Sequence, residues 1–236
     1  SNWQMKGYGR IYWIGAGLEP PIASVQPPEV PDKSNPIGSY RRTFELPDNW
    51  KGRRVFLRFK GVKSAFYVWV NGKKVGYNQG SMTAAEFDVT SFVHPSENMI
   101  AVRVHRYSDG TYLEDADMPR LSGIYRGVYL YSKPEIHFHD LYPTTDLDED
   151  YRDAEFKAQI KIKNDSGYAA SGYSIKSSLY GPSGRKVFEE TNSFSVKAGE
   201  NKEITFSKKV INPQKWSAEK PFLYDLFLEL KDSEGR

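Results

Sequence analysis

Asp109, Glu114, Asp115 and Asp117 crowd one stretch of this chain, residues 108–126, which reads Ser-Asp-Gly-Thr-Tyr-Leu-Glu-Asp-Ala-Asp-Met-Pro-Arg-Leu-Ser-Gly-Ile-Tyr-Arg. Carboxylates this close repel one another. They are tolerated in water, against a cation such as Arg120 or Arg126, beside a metal ion, or facing the hydroxyls of a polyol. Paired carboxyls also hydrolyse glycosidic bonds, provided that they flank the bond from two sides. Acids in near-continuous sequence on one loop give no reason for that geometry. The flanks, residues 100–105 and 128–131, alternate as strands do, whereas the stretch has neither a period of two nor a helical period. A long irregular segment between two strands is uncommon and often functional. Composition alone favours a solvated loop.

The other chemistry-bearing residues are weaker candidates. Asp109 precedes Gly110 and reads as a turn former, and Arg126 as a structural charge partner. His137 and His139 stand two apart on an expected strand, where they share a face and could chelate. With no third ligand nearby in sequence, surface histidines are the better reading. His94 falls in a turn and His105 ends a strand. There is no cysteine, which excludes disulfides and thiolate chemistry. The net charge of +3 is too small for an electrostatic nucleic-acid footprint, and the basic run at residues 51–54 reads as a solvated turn. No apolar run is long enough to span a bilayer as a helix. Asn164-Asp-Ser fits a glycosylation sequon, a triplet that also arises by chance.

The elements that must position these residues read as strands throughout. Residues 3–13 are aromatic-rich and expected to be extended. Residues 18–36 hold six prolines and read as a surface loop, neither strand interior nor helix. Strands are expected at 40–46, 55–59, 66–70, 73–77, 85–89, 98–105 and 127–131. Asn71-Gly72 supplies the two positive φ angles of a type I′ turn, so Gly72→Val should be costly and Asn71→Gly mild. Lys133-Pro134 marks a boundary, with a first domain at residues 1–132 and a second at 133–236. In the second, strands are expected at 136–141, 156–163, 173–180, 186–190, 193–196, 203–210 and 224–230, with an acidic turn at 146–150. Residues 156–163 alternate strictly, with Phe156, Ala158, Ile160 and Ile162 inward. Of the 16 Tyr and 5 Trp, most alternate within strands and read as core. Many short strands with regular turn signals and no amphipathic helix argue for an all-β chain of two sandwiches.

Several motifs carry a resemblance. The acidic run ending Asp117-Met118, followed by Ser122-Gly-Ile-Tyr-Arg126, is similar to the signature near the end of the sugar-binding domain of β-galactosidases in glycoside hydrolase family 2. Ser1-Asn-Trp-Gln-Met-Lys-Gly-Tyr8, Tyr40-Arg-Arg-Thr-Phe44, Val68-Trp-Val-Asn-Gly72, Val75-Gly-Tyr77 and Glu86-Phe-Asp88 resemble other parts of that domain, in the family's order. Trp216 through Tyr224 matches the Trp-Ser-x-x-x-Pro-x-Leu-Tyr pattern of the immunoglobulin-like domain that follows it. The resemblance implies a jelly-roll (galactose-binding-like) β-sandwich followed by an immunoglobulin-like β-sandwich.

It also implies a role for Asp117. In the family this aspartate reaches into the active site of a following TIM barrel, accepts hydrogen bonds from galactose hydroxyls and helps to ligate sodium. Magnesium and sodium are then expected in the full-length enzyme, and no cofactor in this chain. The catalytic glutamates lie on the barrel, so this chain alone is expected to be inactive. Its partners would be galactosides, with neither nucleic acid nor membrane, and a homo-oligomer is possible in principle. Two positions depart from the pattern: Pro119 stands where an aromatic is common after Met, and Ile14 stands near the place of a sugar-contacting Asn. The sibling activities β-glucuronidase and β-mannosidase share these domains, and a free-standing carbohydrate-binding module would look alike. The chain begins without Met, which suggests a segment of a longer polypeptide. Residues 224–230 are therefore expected to leave one side unpaired, with Leu226, Leu228 and Leu230 inward.

Overall fold

A computed structural model of the chain describes residues 2–12, 20–114 and 119–236. It divides into two units, Ser1–Lys133 and Pro134–Arg236. Among the described residues no helix is long and apolar enough to cross a membrane.

Among the described residues the first unit holds nine strands: β1 (Ile37–Phe44), β2 (Arg54–Phe59), β3 (Val62–Lys63), β4 (Ala65–Val70), β5 (Lys73–Gln79), β6 (Ala85–Asp88), β7 (Asn98–His105), β8 (Gly123–Ile124) and β9 (Val128–Lys133). They form a four-stranded sheet in the order β1-β7-β4-β5, a three-stranded sheet β6-β2-β9, and a ribbon of β3 with β8. All pairings are antiparallel. Alternation explains the core. Val55, Leu57 and Phe59 of β2, Phe66, Val68 and Val70 of β4, and Val102 and Val104 of β7 are buried in one cluster. The outward residues of β2 are Arg54, Phe56 and Arg58. The β4–β5 hairpin turns through Asn71 and Gly72 at φ 50° and 78°, the positive pair of a type I′ turn.

The second unit holds β10 (Ile136–Leu147), β11 (Ala154–Asn164), β12 (Ala170–Tyr180), β13 (Lys186–Val196), β14 (Asn201–Val210) and β15 (Asp225–Lys231). Its two sheets run β10-β11-β14 and β13-β12-β15. Phe156, Ala158, Ile160 and Ile162 all enter the core between them, with Leu226, Leu228 and Leu230 packed against it. Among the described strands β15 pairs with β12 alone, so its other side carries free backbone donors and acceptors. The chain is thus all-β, a jelly-roll sandwich and an immunoglobulin-like sandwich.

The structure corrects several local expectations. Residues 4–6 form a 3₁₀ turn within the segment expected to be extended. The proline-rich segment opens on a one-turn helix, α1 (Pro20–Ala23). Proline is tolerated in a first turn because its missing N–H would have no partner there. A second turn of helix, α2 (Thr111–Glu114), interrupts the acidic stretch. Strand β10 continues through Pro143 to Leu147, past the expected stop at residue 141. It is an edge strand, where a residue without a donor is no defect. The acidic turn therefore lies later, with Asp148 accepting from the amides of Arg152 (2.7 Å) and Asp153 (3.0 Å). The two strands expected at 186–190 and 193–196 are one, because β13 pairs with β12 along its whole length. The Trp216–Tyr224 motif precedes β15 without joining it.

Candidate functional site

The acidic stretch is held from four directions, and the ties begin with its own backbone. Ser108 opens it: its amide donates to Thr111 Oγ1 (3.0 Å), and the Thr111 amide returns to Ser108 O (3.0 Å). Both residues are buried, and Ser108 Oγ also accepts from Ser64 Oγ at 2.6 Å. Asp109 is the turn former expected, its Oδ1 accepting from the Gly110 amide (2.9 Å) and from Gln79 Nε2 of β5 (2.7 Å). The amides of Leu113 and Glu114 close the turn of α2 onto Gly110 O, each at 3.0 Å. Tyr112 reaches the proline-rich segment, its hydroxyl donating to Glu29 O at 2.8 Å.

Glu114 ends α2 with its carboxylate spent on one residue. Ser81, in the β5–β6 turn and fully buried, donates its amide to Glu114 Oε1 (3.0 Å) and its hydroxyl to Glu114 Oε2 (2.5 Å). After the next described residue, Pro119, the Arg120 amide donates to Tyr12 O (3.1 Å). Ser122 is tied to the start of the chain through Gln4 Oε1 (2.9 Å) and Trp3 N (3.2 Å). Tyr125 crosses back, its hydroxyl donating to Ser81 O. Arg126 lies over the Tyr125 ring at 5.3 Å, so its structural role is a cation–π contact.

Of the residues singled out in sequence, Asp115, Asp117 and Ile14 lie outside the described residues. Glu114 and Asp109 are engaged with Ser81 and Gln79. Beside Asp109 a cup of about 390 Å³ is lined by Tyr67, Tyr77, Gln79, His105 and Tyr107. Burial pushes the Tyr77 hydroxyl up, with Tyr67 and the Asp109 charge adding to it. Burial also pushes the His105 imidazole down, helped by Arg103, so it is neutral at pH 7.

The histidine pair is not one. The β10–β11 register shifts between Phe138 and Asp140, so His139 sits in a bulge and no longer alternates with its neighbours. His137 is buried rather than on the surface, with Nδ1 at 3.0 Å from Pro134 O, whereas His139 is exposed. Among the described residues no three His, Asp or Glu side chains converge on a metal-sized site. Asn164 of the sequon is fully buried, its Nδ2 donating to Tyr168 O and Lys197 O. Sequence reading missed Ser81 and Tyr125 as partners of the acidic stretch. The one signal was that Ser-Gly-Ile-Tyr-Arg closes the same motif.

The family comparison decides what this arrangement belongs to. Residues 1–134 match the model of the glycosyl hydrolases family 2 sugar binding domain, and residues 136–236 match a second glycosyl hydrolases family 2 model. The chain belongs to glycoside hydrolase family 2. Similar family members include a β-galactosidase of Priestia megaterium, 39% identical over 100% of this chain and 23% of its own length. A β-galactosidase of Halalkalibacterium halodurans is 38% identical over 98% of this chain and 22% of its own length. The chain thus spans less than a quarter of these relatives. Among solved structures, a β-glucuronidase of Bacteroides uniformis superposes with a TM-score of 0.78 at 28% identity, covering 83% of this chain and 24% of that one. A putative β-galactosidase of Bacteroides fragilis gives 0.76 at 26%, covering 85% of this chain and 31% of that one. The family 2 sugar-binding domain therefore comprises the first sandwich, and the acidic stretch lies near its end.

Proposed function

We propose that this chain is the amino-terminal portion of a retaining β-galactosidase, in which it shapes the sugar subsite without supplying the catalytic carboxyls. The observation that carries this reading is a set of relatives named β-galactosidase, 36% to 40% identical and aligned over 98% to 100% of this chain. In the proposal Asp117 is the contributed residue. An ionised carboxylate accepts hydrogen bonds only, which suits galactose hydroxyls, and as a hard donor it suits sodium. In the proposal Asp117 is also a ligand to sodium in the full-length enzyme, where magnesium is expected as well. A retaining hydrolase needs two carboxyls about 5 Å apart across the bond. Glu114 and Asp109 are committed to Ser81 and Gln79, which supports an inactive chain on its own.

The test is a panel of nitrophenyl glycosides on the full-length enzyme, with Asp117→Asn beside the parent. Hydrolysis of the β-galactoside is expected, and Asp117→Asn should lower kcat/KM by about 10- to 100-fold, the worth of a hydrogen bond to a charged group. Unchanged kinetics in that variant would overturn the assignment. The B. uniformis structure supports a second reading, a β-glucuronidase, which preferential hydrolysis of the glucuronide would establish. Titrating the 236-residue chain with galactose separates both from a free-standing binding module, which alone would bind the sugar at millimolar concentration or tighter.

A further inference from the structure

Residues 232–236 turn the chain back on itself. The Gly235 amide donates to Asp232 O and the Asp232 amide to Arg236 O, each at 3.0 Å. Asp232 Oδ1 accepts from the amides of Glu234 and Arg236, each at 2.9 Å, and Gly235 stands at φ 80°. Two backbone bonds in this pattern, with a left-handed residue just before the second arm, make a three-residue hairpin loop. β15 is one arm of that hairpin, and Arg236 begins the other. The loop fixes a register: Asp232 stands opposite Arg236, so positions 238, 240 and 242 fall opposite Leu230, Leu228 and Leu226. It also fixes which amides are open. Backbone N–H groups alternate sides along a strand, and among the described strands β15 pairs with β12 alone. The Asp232 amide points to Arg236, so the amides of Leu230, Leu228 and Leu226 face that same open side. Beside this edge the sandwich is open as well. An apolar cleft of about 500 Å³ is lined by Thr145 and Leu147 of β10, by Phe156, Trp216 and Leu223, and by Leu226 of β15. β10 and β15 are both edge strands, so no strand of either sheet closes the cleft from outside.

We infer that the polypeptide directly after Arg236 returns along β15 as an antiparallel strand in this register, with apolar side chains at positions 238, 240 and 242 that close the cleft. The inference rests on the proposed function only in taking the chain as part of a longer polypeptide, and on no particular substrate. The relatives supply the length, since this chain spans 23% and 22% of two of them. The loop supplies the direction, because it delivers its second arm to the open side of β15. Pairing supplies the faces. Directly opposed residues point to the same side of a sheet, and Leu226, Leu228 and Leu230 pack against the core, so their partners must point there too. Position 242 falls beside Leu226, whose side chain already lines the cleft. Six residues, 237–242, make a strand of ordinary length. A second copy of the chain would have to compete with an arm held at the edge by a three-residue loop, where the effective concentration is high.

Amide hydrogen exchange on the 236-residue chain and on the full-length enzyme tests the pairing. The amides of Phe227, Glu229 and Lys231 face β12 and should be protected in both. Those of Leu226, Leu228 and Leu230 should exchange at least about tenfold more slowly in the full-length enzyme than in the shorter chain. Equal exchange of these three amides in the two proteins would overturn the strand, and protection in the 236-residue chain that rises with its concentration would assign the edge to a second copy instead. A cross-link then tests the register in the full-length enzyme. Glu229 and position 239 form a pair without mutual hydrogen bonds, about 4.5 Å apart at Cα, within the span of a disulfide. Glu229→Cys with a cysteine placed at position 239 should therefore close a disulfide under oxidised glutathione, read by peptide mass spectrometry. The same cysteine at position 238 should not, because one step moves it to the inward face. Cross-linking at 238 in preference to 239, or at neither, would overturn the register. Both readouts are independent of the glycoside hydrolysed, so failure here leaves the glycosidase reading standing.

Discussion

Asn164 sits at the end of β11 with no exposed surface, and its side chain uses both ends. Nδ2 donates to Tyr168 O (2.8 Å) and Lys197 O (3.0 Å), while Oδ1 accepts from the Ser166 amide (2.9 Å) and hydroxyl (2.5 Å). One amide thus closes the β11–β12 loop and joins it to the turn before β14. Removing it leaves the buried Ser166 amide without its acceptor and takes a donor from each of the two carbonyls, while the Ser166 hydroxyl keeps Tyr168 O at 3.0 Å. Asn164→Ala should destabilise the second unit by about 2–3 kcal/mol. That corresponds to a melting temperature lower by about 10–20 °C for a unit of this size. Lys161→Ala, on the exposed side of the same strand, should stay within about 0.5 kcal/mol. Thermal denaturation followed by circular dichroism reads both, and equal effects would refute the assignment. The sequon at the same position shows why a residue pattern cannot report accessibility: an oligosaccharide needs the Nδ2 that the fold has already used.

At the scale of elements, the Asn71-Gly72 hairpin carries two separate functions. Gly72 supplies backbone freedom alone. It has φ 78°, and a Cβ there would meet nothing within 4 Å. Gly72→Val should therefore cost only the strain of a β-branched residue in the left-handed region, about 1–2 kcal/mol. Asn71 supplies the turn and a tie to β7. Its Nδ2 donates to Phe92 O (2.9 Å) and Asn98 Oδ1 (2.8 Å), and its Oδ1 accepts from the Met99 amide (2.8 Å). Asn71→Gly, which the turn alone would make mild, should cost as much as Gly72→Val or more, about 1–3 kcal/mol. A melting temperature for Asn71→Gly within about 2 °C of the parent would show that those bonds are dispensable. Strands β10 and β13 make the complementary point. Pro143 and the polar Thr191-Asn192 look like strand breakers in one dimension, but an edge position and continuous pairing with β12 accommodate them.

At the scale of the whole molecule, stability is tied to pH through carboxylates spread over both units. Lys186 beside Glu189 holds its carboxyl down to about 2, with Lys176 and Ser178 adding to the effect and burial opposing it. Asp153 is lowered by Lys209 first and by the Asn212 amide next. At Asp88 burial alone would raise the carboxyl, but hydrogen bonds from Thr90 and the Arg54 guanidinium outweigh it and leave it lowered. A carboxyl whose folded pKa lies below its unfolded value stabilises the fold above the unfolded value, and that contribution is lost as pH falls through the folded one. The ordinary values are 4.5 for Glu189 and 3.8 for Asp153 and Asp88, so the melting temperature should fall steeply from about pH 4.5 to about 2. His105, lowered from 6.5, adds a shallow limb that begins near that pH, because charging it opposes folding. A melting temperature independent of pH down to 2 would contradict the assigned pairs. Added salt should blunt the part that Glu189 contributes, since that pair is open to solvent.

The sequence by itself determined the all-β class, because a strand with one buried face writes a period of two into its own residues, and the family resemblance of its motifs implied the order of the two sandwiches. Phe156, Ala158, Ile160 and Ile162 could be placed inward from that period alone, and Asn71-Gly72 named its turn by the φ angles it tolerates. The motif at residues 108–126 placed the chain in its family from residue types in a fixed order. What only the tertiary structure decided were partnerships between residues distant in the chain. Ser81 and Glu114 stand 33 positions apart, and Ser81 and Tyr125 stand 44 apart. Ser81 itself lies in an ordinary Gly-Ser-Met turn with no periodic signal. The burial of Asn164, the bulge at His139 and the hydrogen bonds at Ser81 depend on which loops the sheets bring together. That is fixed by pairing between strands, and no local pattern of residues records it.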